Sequence, residues 1–405
     1  MTLIECFANA HIDNIAACLR LRPDRMVMIG KIADMREPAK RYQKLLNQRD
    51  IATEITMCDV QSMDLDEIYA ALKKVVRDAN DCVLDLTGGD ECVIMAAGAV
   101  FAELPADARR RIRIEKYDHA ANVVRDCIRD NRIIQAKAID LTVEEQIELY
   151  GGTLHPSSYQ PPKSCSSRDL AGLWDIVSEN PKDWNDAIKL LAEFESRSDS
   201  KTHIFLPLSR LRSSIPNFES KEDTVRELLG KLQQAGVIDD HSSRNTLEYT
   251  YTSQMFRYCT LKAGNVLEVK TLLESRAVME NSKPYFHDCR MGVNIDWDGE
   301  VGRFPEIRNE IDVVLMHGTT PLFVSCKNGN IDEAEPYKLH TVAERFGGPY
   351  AKKLLIATDL DLEGPAATRT LIQQERAQDM GIRLVTNAAN LSPEAWQQKF
   401  KEAMQ

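Results

Sequence analysis

The first third of the sequence alternates short apolar runs with segments in which apolar residues recur at helical spacing. Four runs rich in aliphatic side chains are bounded by turn residues, which is the pattern of buried strands; they cover residues 3–7, 25–29, 51–57 and 82–86. Segment 65–76, between the last two runs, carries apolar residues on one helical face. Strands alternating with helices predict a largely parallel, doubly wound α/β sheet. We expect residues 1–150 to form this Rossmann-like domain.

The middle of the chain departs from this alternation. Glycine, proline and serine cluster between residues 151 and 167, which marks a domain boundary. Further on, residues 224–235 have a helical apolar stripe, and residues 237–251 read as two short strands around a polar turn. A helix followed by such a hairpin is the shape of a winged helix. We therefore predict a small helical or winged-helix-like joint over residues 151–255. It would serve as a structural connection or as a DNA reader, although it lacks a basic recognition helix.

The last third predicts a second α/β domain, over residues 256–405. Its centre is segment 309–327, in which two apolar runs flank the turn signal His-Gly-Thr-Thr-Pro and read as a β-hairpin. Helical and strand-like segments surround this hairpin in the predicted order helix, three strands, helix, strand, helix, strand, helix. This order differs from the strict alternation of the first third, so we expect a sheet of a different type.

Composition narrows the class of protein. The 405 residues are 43% hydrophobic and 28% charged, as in soluble globular proteins, and the formal net charge is −11. This charge argues against a protein that coats nucleic acid, but a nuclease with a local acidic metal site remains compatible. The ten cysteines include no CxxC pair, which favours free thiols. The N-terminus lacks a basic start and a long apolar run, and no apolar stretch reaches membrane-spanning length. We expect a cytoplasmic protein that has no contact with a membrane.

Two charged residues interrupt the apolar hairpin. Asp312 lies within its first strand and Lys327 ends its second, although a charge near a core is costly unless it is paired or bound to metal. Glu268 lies near the start of the preceding predicted helix. Carboxylates brought together in this way would bind a hard cation such as Mg²⁺ or Mn²⁺, and a lysine beside them could neutralise charge in a transition state. Taken alone, each of these residues would more often be a solvated surface residue; their joint occurrence, in this order and on these elements, favours the site.

The end of the fourth predicted strand carries a second candidate site. Residues 87–90 read Thr-Gly-Gly-Asp and precede an apolar helix. In doubly wound sheets ligands bind beyond the carboxyl ends of strands, glycines let the backbone approach them, and a helix start offers unpaired N–H groups to phosphate. The alternative is a tight turn in which Asp90 caps the helix. The stretch is neither GxGxxG nor a P-loop, so we expect no nucleoside-triphosphate hydrolysis.

The Thr-Gly-Gly turn, together with the polar turn after the first strand, resembles the CRISPR-associated Rossmann fold (CARF). The resemblance covers roughly residues 1–140. It implies that the domain senses a cyclic oligoadenylate across a two-fold dimer interface. Many members carry a lysine soon after Thr-Gly-Gly, whereas this chain has Asp90 and Glu91. The residues that the resemblance places around the activator are Asn9, Ala10, His11, Gly30, Thr87, Gly88, Gly89 and Asp90.

The last third resembles the PD-(D/E)xK nuclease core over most of residues 260–390. The resemblance implies catalytic roles for Glu268 on the first helix, Asp312 on the second core strand and Lys327 at the end of the third. Ser325 occupies the position of the family's second strand acid. The expected metal ligands are therefore Glu268 and Asp312, completed by the carbonyl of Cys326 and by Glu335, with Mn²⁺ or Mg²⁺ as the cofactor.

Together, the two resemblances match the effector nucleases of type III CRISPR antiviral defence. They imply a homodimer that is allosterically activated by cyclic tetra-adenylate and cleaves single-stranded RNA, single-stranded DNA or both. Two other functions stay open at this point. One is a ligand-responsive DNA-binding regulator with a degenerate nuclease domain, which the serine at position 325 would explain. The other is a ring nuclease that degrades the cyclic messenger in the first domain.

Overall fold

The structure is a computed structural model of the 405-residue chain. It describes residues 1–79, 81–130, 132–134, 139–156, 159–297, 308–329, 331–358 and 367–405, with the backbone alone for 308 and 367–370. Residues 157 and 158 of the predicted boundary segment lie outside these ranges. Within them, every helix is too short or too polar to cross a bilayer.

The first part is a seven-stranded sheet in the order β3-β2-β1-β4-β5-β6-β7. Its first five strands are parallel, and β6 and β7 extend the sheet in antiparallel fashion. This Rossmann-like order confirms the predicted doubly wound sheet. The elements are β1 (Thr2–Cys6), α1 (Ala16–Leu21), β2 (Arg25–Gly30), α2 (Ile32–Gln48), β3 (Glu54–Asp59), α3 (Leu65–Asp78), β4 (Cys82–Asp85), α4 (Glu91–Glu103), α5 (Ala106–Arg109), β5 (Ile112–Asp118), β6 (Val123–Asp126) and β7 (Ile133–Ile134).

The middle part contains helices and a small three-stranded sheet in the order β10-β11-β9. The predicted hairpin is confirmed, because β10 and β11 pair in antiparallel fashion after a long helix. The elements are α6 (Val143–Leu149), β8 (Thr153–His155), α7 (Ala171–Glu179), α8 (Pro181–Glu195), β9 (His203–Pro207), α9 (Leu208–Ser214), α10 (Phe218–Gln234), β10 (Ile238–Asp240), β11 (Thr246–Tyr251) and α11 (Gln254–Leu261).

The last part is built on a six-stranded mixed sheet in the order β18-β17-β16-β15-β14-β8. The predicted hairpin is its centre: β15 and β16 are antiparallel, whereas β16, β17 and β18 run parallel. The elements are α12 (Asn265–Ala277), β12 (Met279–Glu280), β13 (Lys283–Pro284), β14 (Asp288–Asp296), β15 (Arg308–His317), β16 (Thr320–Lys327), α13 (Glu335–Gly347), β17 (Lys352–Ala357), α14 (Ala367–Asp379), β18 (Ile382–Val385) and α15 (Pro393–Met404).

The two faces of this central sheet are buried against different parts of the chain. One face carries Val313 and Val324 and shares a hydrophobic cluster with the helices of the middle part. The other face carries Val314 and Phe323 and shares a cluster with α1 and α2 of the first part. A separate cluster fills the far side of the first sheet. Apolar burial on both faces of the sheet therefore joins it to the other two parts of the chain.

Strand β8 belongs to the last sheet, although it lies early in the sequence. Leu154 pairs with Ile295, which makes β8 the edge neighbour of β14. Residues 153–155 are thus structurally part of the sheet that residues 288–385 complete. The division of the chain at residues 150 and 255 stays a prediction.

Candidate functional site

The β15–β16 hairpin brings Asp312 beside the end of β16. Backbone pairing between the strands runs from His317–Thr320 to Val313–Val324. Beyond this last pair, a side chain replaces the backbone as the hydrogen-bond acceptor for β16: Asp312 Oδ2 accepts a hydrogen bond of 2.6 Å from the backbone N–H of Cys326. The same oxygen accepts a hydrogen bond of 3.2 Å from the Ser325 hydroxyl. A carboxylate at this position therefore fixes the strand end that carries Lys327.

Glu335, the first residue of α13, closes the group from the other side. Its Oε1 accepts a hydrogen bond of 2.7 Å from the Ser325 hydroxyl, and its Oε2 lies 2.9 Å from Lys327 Nζ. Burial disfavours the Lys327 ammonium, but the Glu335 and Asp312 carboxylates oppose this, and the pKa of Lys327 lies above its usual value. The structure therefore brings Asp312, Ser325, Lys327 and Glu335 into one connected network, and the helix supplies an acid next to the serine.

Glu268 on α12 is the second carboxylate that faces Asp312. Burial, Asp312 and Glu310 together raise the pKa of Glu268 to about 8, while the Tyr258 hydroxyl donates a hydrogen bond of 3.3 Å to its Oε2. Burial also raises the pKa of Asp312, although the N–H of Cys326 and Lys327 oppose this. Burial is the largest cause of both raised pKa values; the charges of Asp312 and Glu310 add to the rise at Glu268, and the charge of Glu335 adds to the rise at Asp312.

The donor chemistry of the site fits a hard divalent cation. Glu268, Asp312 and Glu335 offer oxygen atoms, and Lys327 is the cation that contacts one of them. Oxygen donors with surplus negative charge suit Mg²⁺ or Mn²⁺. Within the described ranges, no three or more His, Cys, Asp or Glu side chains are gathered as around a bound metal ion. In this conformation Glu335 is engaged by Ser325 and Lys327, and the role of the Cys326 carbonyl stays a prediction.

The middle part of the chain contacts this site directly, which the sequence pattern did not indicate. Asn185 on α8 and Asn328, which follows Lys327, form a reciprocal pair. Asn185 Nδ2 donates to the Asn328 carbonyl at 2.7 Å, and Asn328 Nδ2 donates to Asn185 Oδ1 at 2.8 Å. Thr358 also donates to Asn328 Oδ1 at 2.7 Å. The residue next to Lys327 is therefore clamped by two other elements.

The second predicted site lies at the topological switch point of the first sheet. Strand β1 pairs with both β2 and β4, so the loops after β1 and β4 flank one crevice at the carboxyl ends of the strands. A Cβ placed on Gly88 would lie 2.7 Å from the Cβ of Ala8, and one on Gly30 would lie 2.9 Å from that of Phe7. Glycine at both positions lets the loops pack together. The structure therefore brings the predicted activator-binding loops side by side.

Within these loops, several predicted residues make structural contacts. The Thr87 hydroxyl donates to Asp85 and accepts from the Tyr117 backbone N–H at 2.8 Å, so it holds the turn from inside. Asp90 caps α4 by accepting from the Val93 N–H at 2.9 Å, so the predicted helix cap is present. Gly89 packs against Val93 in the same turn. The turn is thus pre-formed, and its contact with an activator stays a prediction.

The loop after β1 is also ordered by internal contacts. His11 Nδ1 lies 2.9 Å from the Tyr42 hydroxyl, and His11 Nε2 lies 3.2 Å from the Arg41 guanidinium. Burial, together with Arg41 and Arg345, lowers the pKa of His11 to about 4. Asn9 is exposed and Ala10 half-buried, so these two residues present the loop to solvent.

The chain shares its fold with two solved structures over nearly its whole length. Protein VC1899 from Vibrio cholerae aligns with a TM-score of 0.72 and 16% identity over 99% of this chain and 98% of its own. Can2 from Sulfobacillus thermosulfidooxidans, solved in complex with cyclic tetra-adenylate, aligns with a TM-score of 0.65 and 16% identity over 100% of this chain and 97% of its own. No protein-family model and no curated protein matches the sequence. At this identity the likeness shows a shared fold.

Proposed function

We propose that this protein is a metal-dependent nuclease of type III CRISPR defence, activated by a cyclic oligoadenylate that binds in the first part of the chain. The observation that carries the proposal is the connected group of Asp312, Ser325, Lys327 and Glu335, with Glu268 facing it. This group resembles the acid, acid and lysine set of a PD-(D/E)xK site, with one acid supplied by α13. The fold likeness to Can2, solved with cyclic tetra-adenylate, supports that molecule as the activator.

In this mechanism Glu268 and Asp312 would hold Mn²⁺ or Mg²⁺, and Glu335 would complete the shell once released from Lys327. A bound divalent cation lowers the pKa of a water ligand and holds the scissile phosphate. Lys327 would neutralise the charge that develops on the phosphate oxygens once Glu335 has moved from it to the metal. Tyr258 would orient Glu268 through its 3.3 Å hydrogen bond.

The activator would bind across a dimer, and one helix face supports this part of the proposal. Helix α4 follows the Thr-Gly-Gly turn and leaves Ile94 51% exposed and Met95 60% exposed. Gly98, one helical turn further on, has no atom within 4 Å of an added Cβ. An apolar helix face next to the crevice would be covered by the same face of a second copy.

The proposal is tested with purified protein, labelled single-stranded RNA and DNA, and Mn²⁺, with and without cyclic tetra-adenylate. We expect cleavage that depends on both additions and is lost in the Asp312→Asn and Lys327→Ala variants. Lys338→Ala is the matched control, because Lys338 is exposed on α13 and lies outside the network. Absence of cleavage of both substrates under activation would overturn the nuclease assignment.

The same preparation separates the two other functions. Sequence-specific binding of duplex DNA without cleavage would identify a ligand-responsive regulator that reads DNA through α10 and the β10–β11 hairpin. Recovery of linear adenylates from the Asp312→Asn protein would identify a ring nuclease in the first part of the chain. Either result would replace the proposed activity.

A further inference from the structure

The tip of the β15–β16 hairpin is docked into the first part of the chain. The Gly318 carbonyl accepts a hydrogen bond of 3.0 Å from the Leu141 N–H. Gly318 has a φ of +61°, and a Cβ on it would lie 2.7 Å from Asn122 Nδ2 in the turn between β5 and β6. Only glycine meets both conditions without strain. The hairpin that carries Asp312 and Lys327 is therefore held at its tip by the proposed sensor.

A buried chain of side chains continues from this tip. Thr319 Oγ1 lies 3.0 Å from His119 Nδ1, and His119 Nε2 donates to Asp13 Oδ1 at 2.7 Å. The exposed fractions of Thr319, His119 and Asp13 are 2%, 9% and 5%, so water does not compete for these bonds. Tyr350 stacks on His119 at 4.0 Å between ring centroids and donates to Asp13 Oδ2 at 3.2 Å. Buried polar chains of this kind are stable only when every member keeps its partner.

Asp13 belongs to the loop after β1 and lies against Gly88 in the loop after β4, so it contacts both sides of the proposed activator crevice. Its N–H donates to the Ala10 carbonyl at 3.0 Å, and a Cβ on Gly88 would lie 3.2 Å from the Asp13 Cβ. The Asn14 side chain accepts a hydrogen bond of 2.8 Å from the Ala8 N–H and donates one of 2.7 Å to the Ala8 carbonyl. These bonds hold the two ends of the loop after β1 together. A ligand that moves either loop would therefore displace Asp13.

The β15–β16 hairpin can transmit a displacement from its tip to the strand ends. Its strands are paired continuously from His317–Thr320 to Val313–Val324. Asp312 lies five residues before His317, which corresponds to about 17 Å along β15. A packed, hydrogen-bonded hairpin does not bend freely, because its side chains are interlocked on both faces of the sheet. Movement of the tip would thus shift the strand ends at the nuclease site.

We propose that Asp13, His119 and Thr319 form a relay that couples activator binding at the crevice to the position of the hairpin. The inference rests on the proposed function and adds its route of regulation: the three side chains are positioning residues that touch neither metal nor substrate. Coupling between two sites is measured as the factor by which one ligand changes the activity or affinity at the other. Disrupting the relay should lower this coupling factor, whereas activator binding at the crevice and cleavage at the nuclease site should each remain.

The test compares three variants of the full-length protein. Thr319→Val removes the hydroxyl at nearly constant volume, Thr319→Ser restores it, and Thr320→Val makes the same change at the neighbouring buried threonine. For each we measure cyclic tetra-adenylate affinity, cleavage with and without it in Mn²⁺, and activator-induced changes in amide exchange of residues 312–327. The melting temperature of each variant confirms that it is folded.

We expect Thr319→Val to bind cyclic tetra-adenylate within about threefold of wild type but to lose about tenfold in activator stimulation, which is about 1.4 kcal/mol of coupling. Its activator-induced exchange change in the hairpin should disappear, and Thr319→Ser and Thr320→Val should behave like wild type. Full stimulation in Thr319→Val would overturn the relay and leave the nuclease intact. If the wild-type protein binds cyclic tetra-adenylate but cleaves neither substrate, the nuclease assignment is rejected, and the amide-exchange result alone tests the relay. If the wild-type protein does not bind cyclic tetra-adenylate, both the nuclease proposal and the relay are rejected.

Discussion

Ser325 and Glu335 are joined by a hydrogen bond of 2.7 Å, from a hydroxyl on a central strand to a carboxylate on the helix that follows. The serine stands where the strand would carry an acid in a PD-(D/E)xK site. The glutamate reaches the same place from α13 and also contacts Lys327. In the proposed metal site, a carboxylate on either element could therefore serve as a ligand, because a cation responds to the position of the oxygen atoms.

This relationship predicts that Glu335 is required for cleavage. Glu335→Gln keeps the shape but removes the charge that holds Lys327 and would complete the metal shell, so activated cleavage should fall by about 10–100-fold. Glu333→Gln, an exposed change two residues earlier on the chain, is the control. Moving the acid back to the strand, in the double variant Ser325→Asp with Glu335→Ser, should recover about tenfold of the loss. Unchanged cleavage by Glu335→Gln would show that the Glu335 carboxylate has a structural role and is not needed for cleavage.

The reciprocal pair of Asn185 and Asn328 predicts a positioning effect from the middle part of the chain. Asn185→Ala should lower activated cleavage by about tenfold, because the residue next to Lys327 loses one side of its clamp. Binding of cyclic tetra-adenylate should stay as in wild type. Asn245→Ala, at an exposed position in the β10–β11 turn, controls for the loss of an amide. A parallel loss of activator affinity would point to general misfolding instead.

Close packing of the two crevice loops predicts that Gly88 tolerates no side chain. Gly88→Ala would place a methyl group 2.7 Å from the Cβ of Ala8, so the loops must separate and cyclic tetra-adenylate affinity should fall by about tenfold. Gly230→Ala is the matched control: nothing lies within 4 Å of an added Cβ there, and alanine should stabilise α10 by about 0.5–1 kcal/mol. Calorimetric titration measures the affinities. Equal affinity in the two variants would contradict the packing argument.

The exposed face of α4 predicts a charge-sensitive dimer. Ile94→Glu and Met95→Glu should shift the protein from dimer to monomer in light scattering and weaken cyclic tetra-adenylate binding by about tenfold, since a buried unpaired charge is costly. Met279→Glu makes the same change at a 45% exposed methionine in the last part of the chain. A dimer that survives both α4 variants would place the interface elsewhere.

The low pKa of His11 predicts a loss of stability in acid. The folded protein holds this pKa near 4, mainly through burial, whereas the unfolded chain has the ordinary value of 6.5. The unfolded state therefore takes up the proton first, and the free energy of unfolding decreases as pH falls from about 6.5 towards 4. His11→Gln cannot take up this proton and should reduce that decrease by about 3 kcal/mol.

Urea denaturation between pH 4 and 7 measures this difference. His241→Gln, at an exposed histidine in a turn, is the control and should follow the wild-type pH dependence. Parallel pH profiles for wild type and His11→Gln would show that His11 does not carry the effect.

The sequence by itself determined most of the local elements and several residues of the candidate site. Alternating apolar runs predicted four of the five parallel strands of the first sheet, all but β5, and the charge pattern of segment 309–327 located Asp312 and Lys327 on a hairpin. These features could be read because hydrophobic periodicity records which side of each element is buried. The Thr-Gly-Gly turn was likewise visible, since glycine marks close backbone packing.

Only the tertiary structure decided how distant residues meet. Asp13, His119 and Thr319 lie on three separate loops, and Asn185 reaches Asn328 from another part of the chain. The structure also showed that the Thr87 hydroxyl faces inward and that Glu335 lies beside Ser325. Such pairs depend on strand order and on how layers pack. Strand order and layer packing cannot be deduced from the local periodicity of a single sequence, because periodicity shows that a face is buried but not which residues cover it.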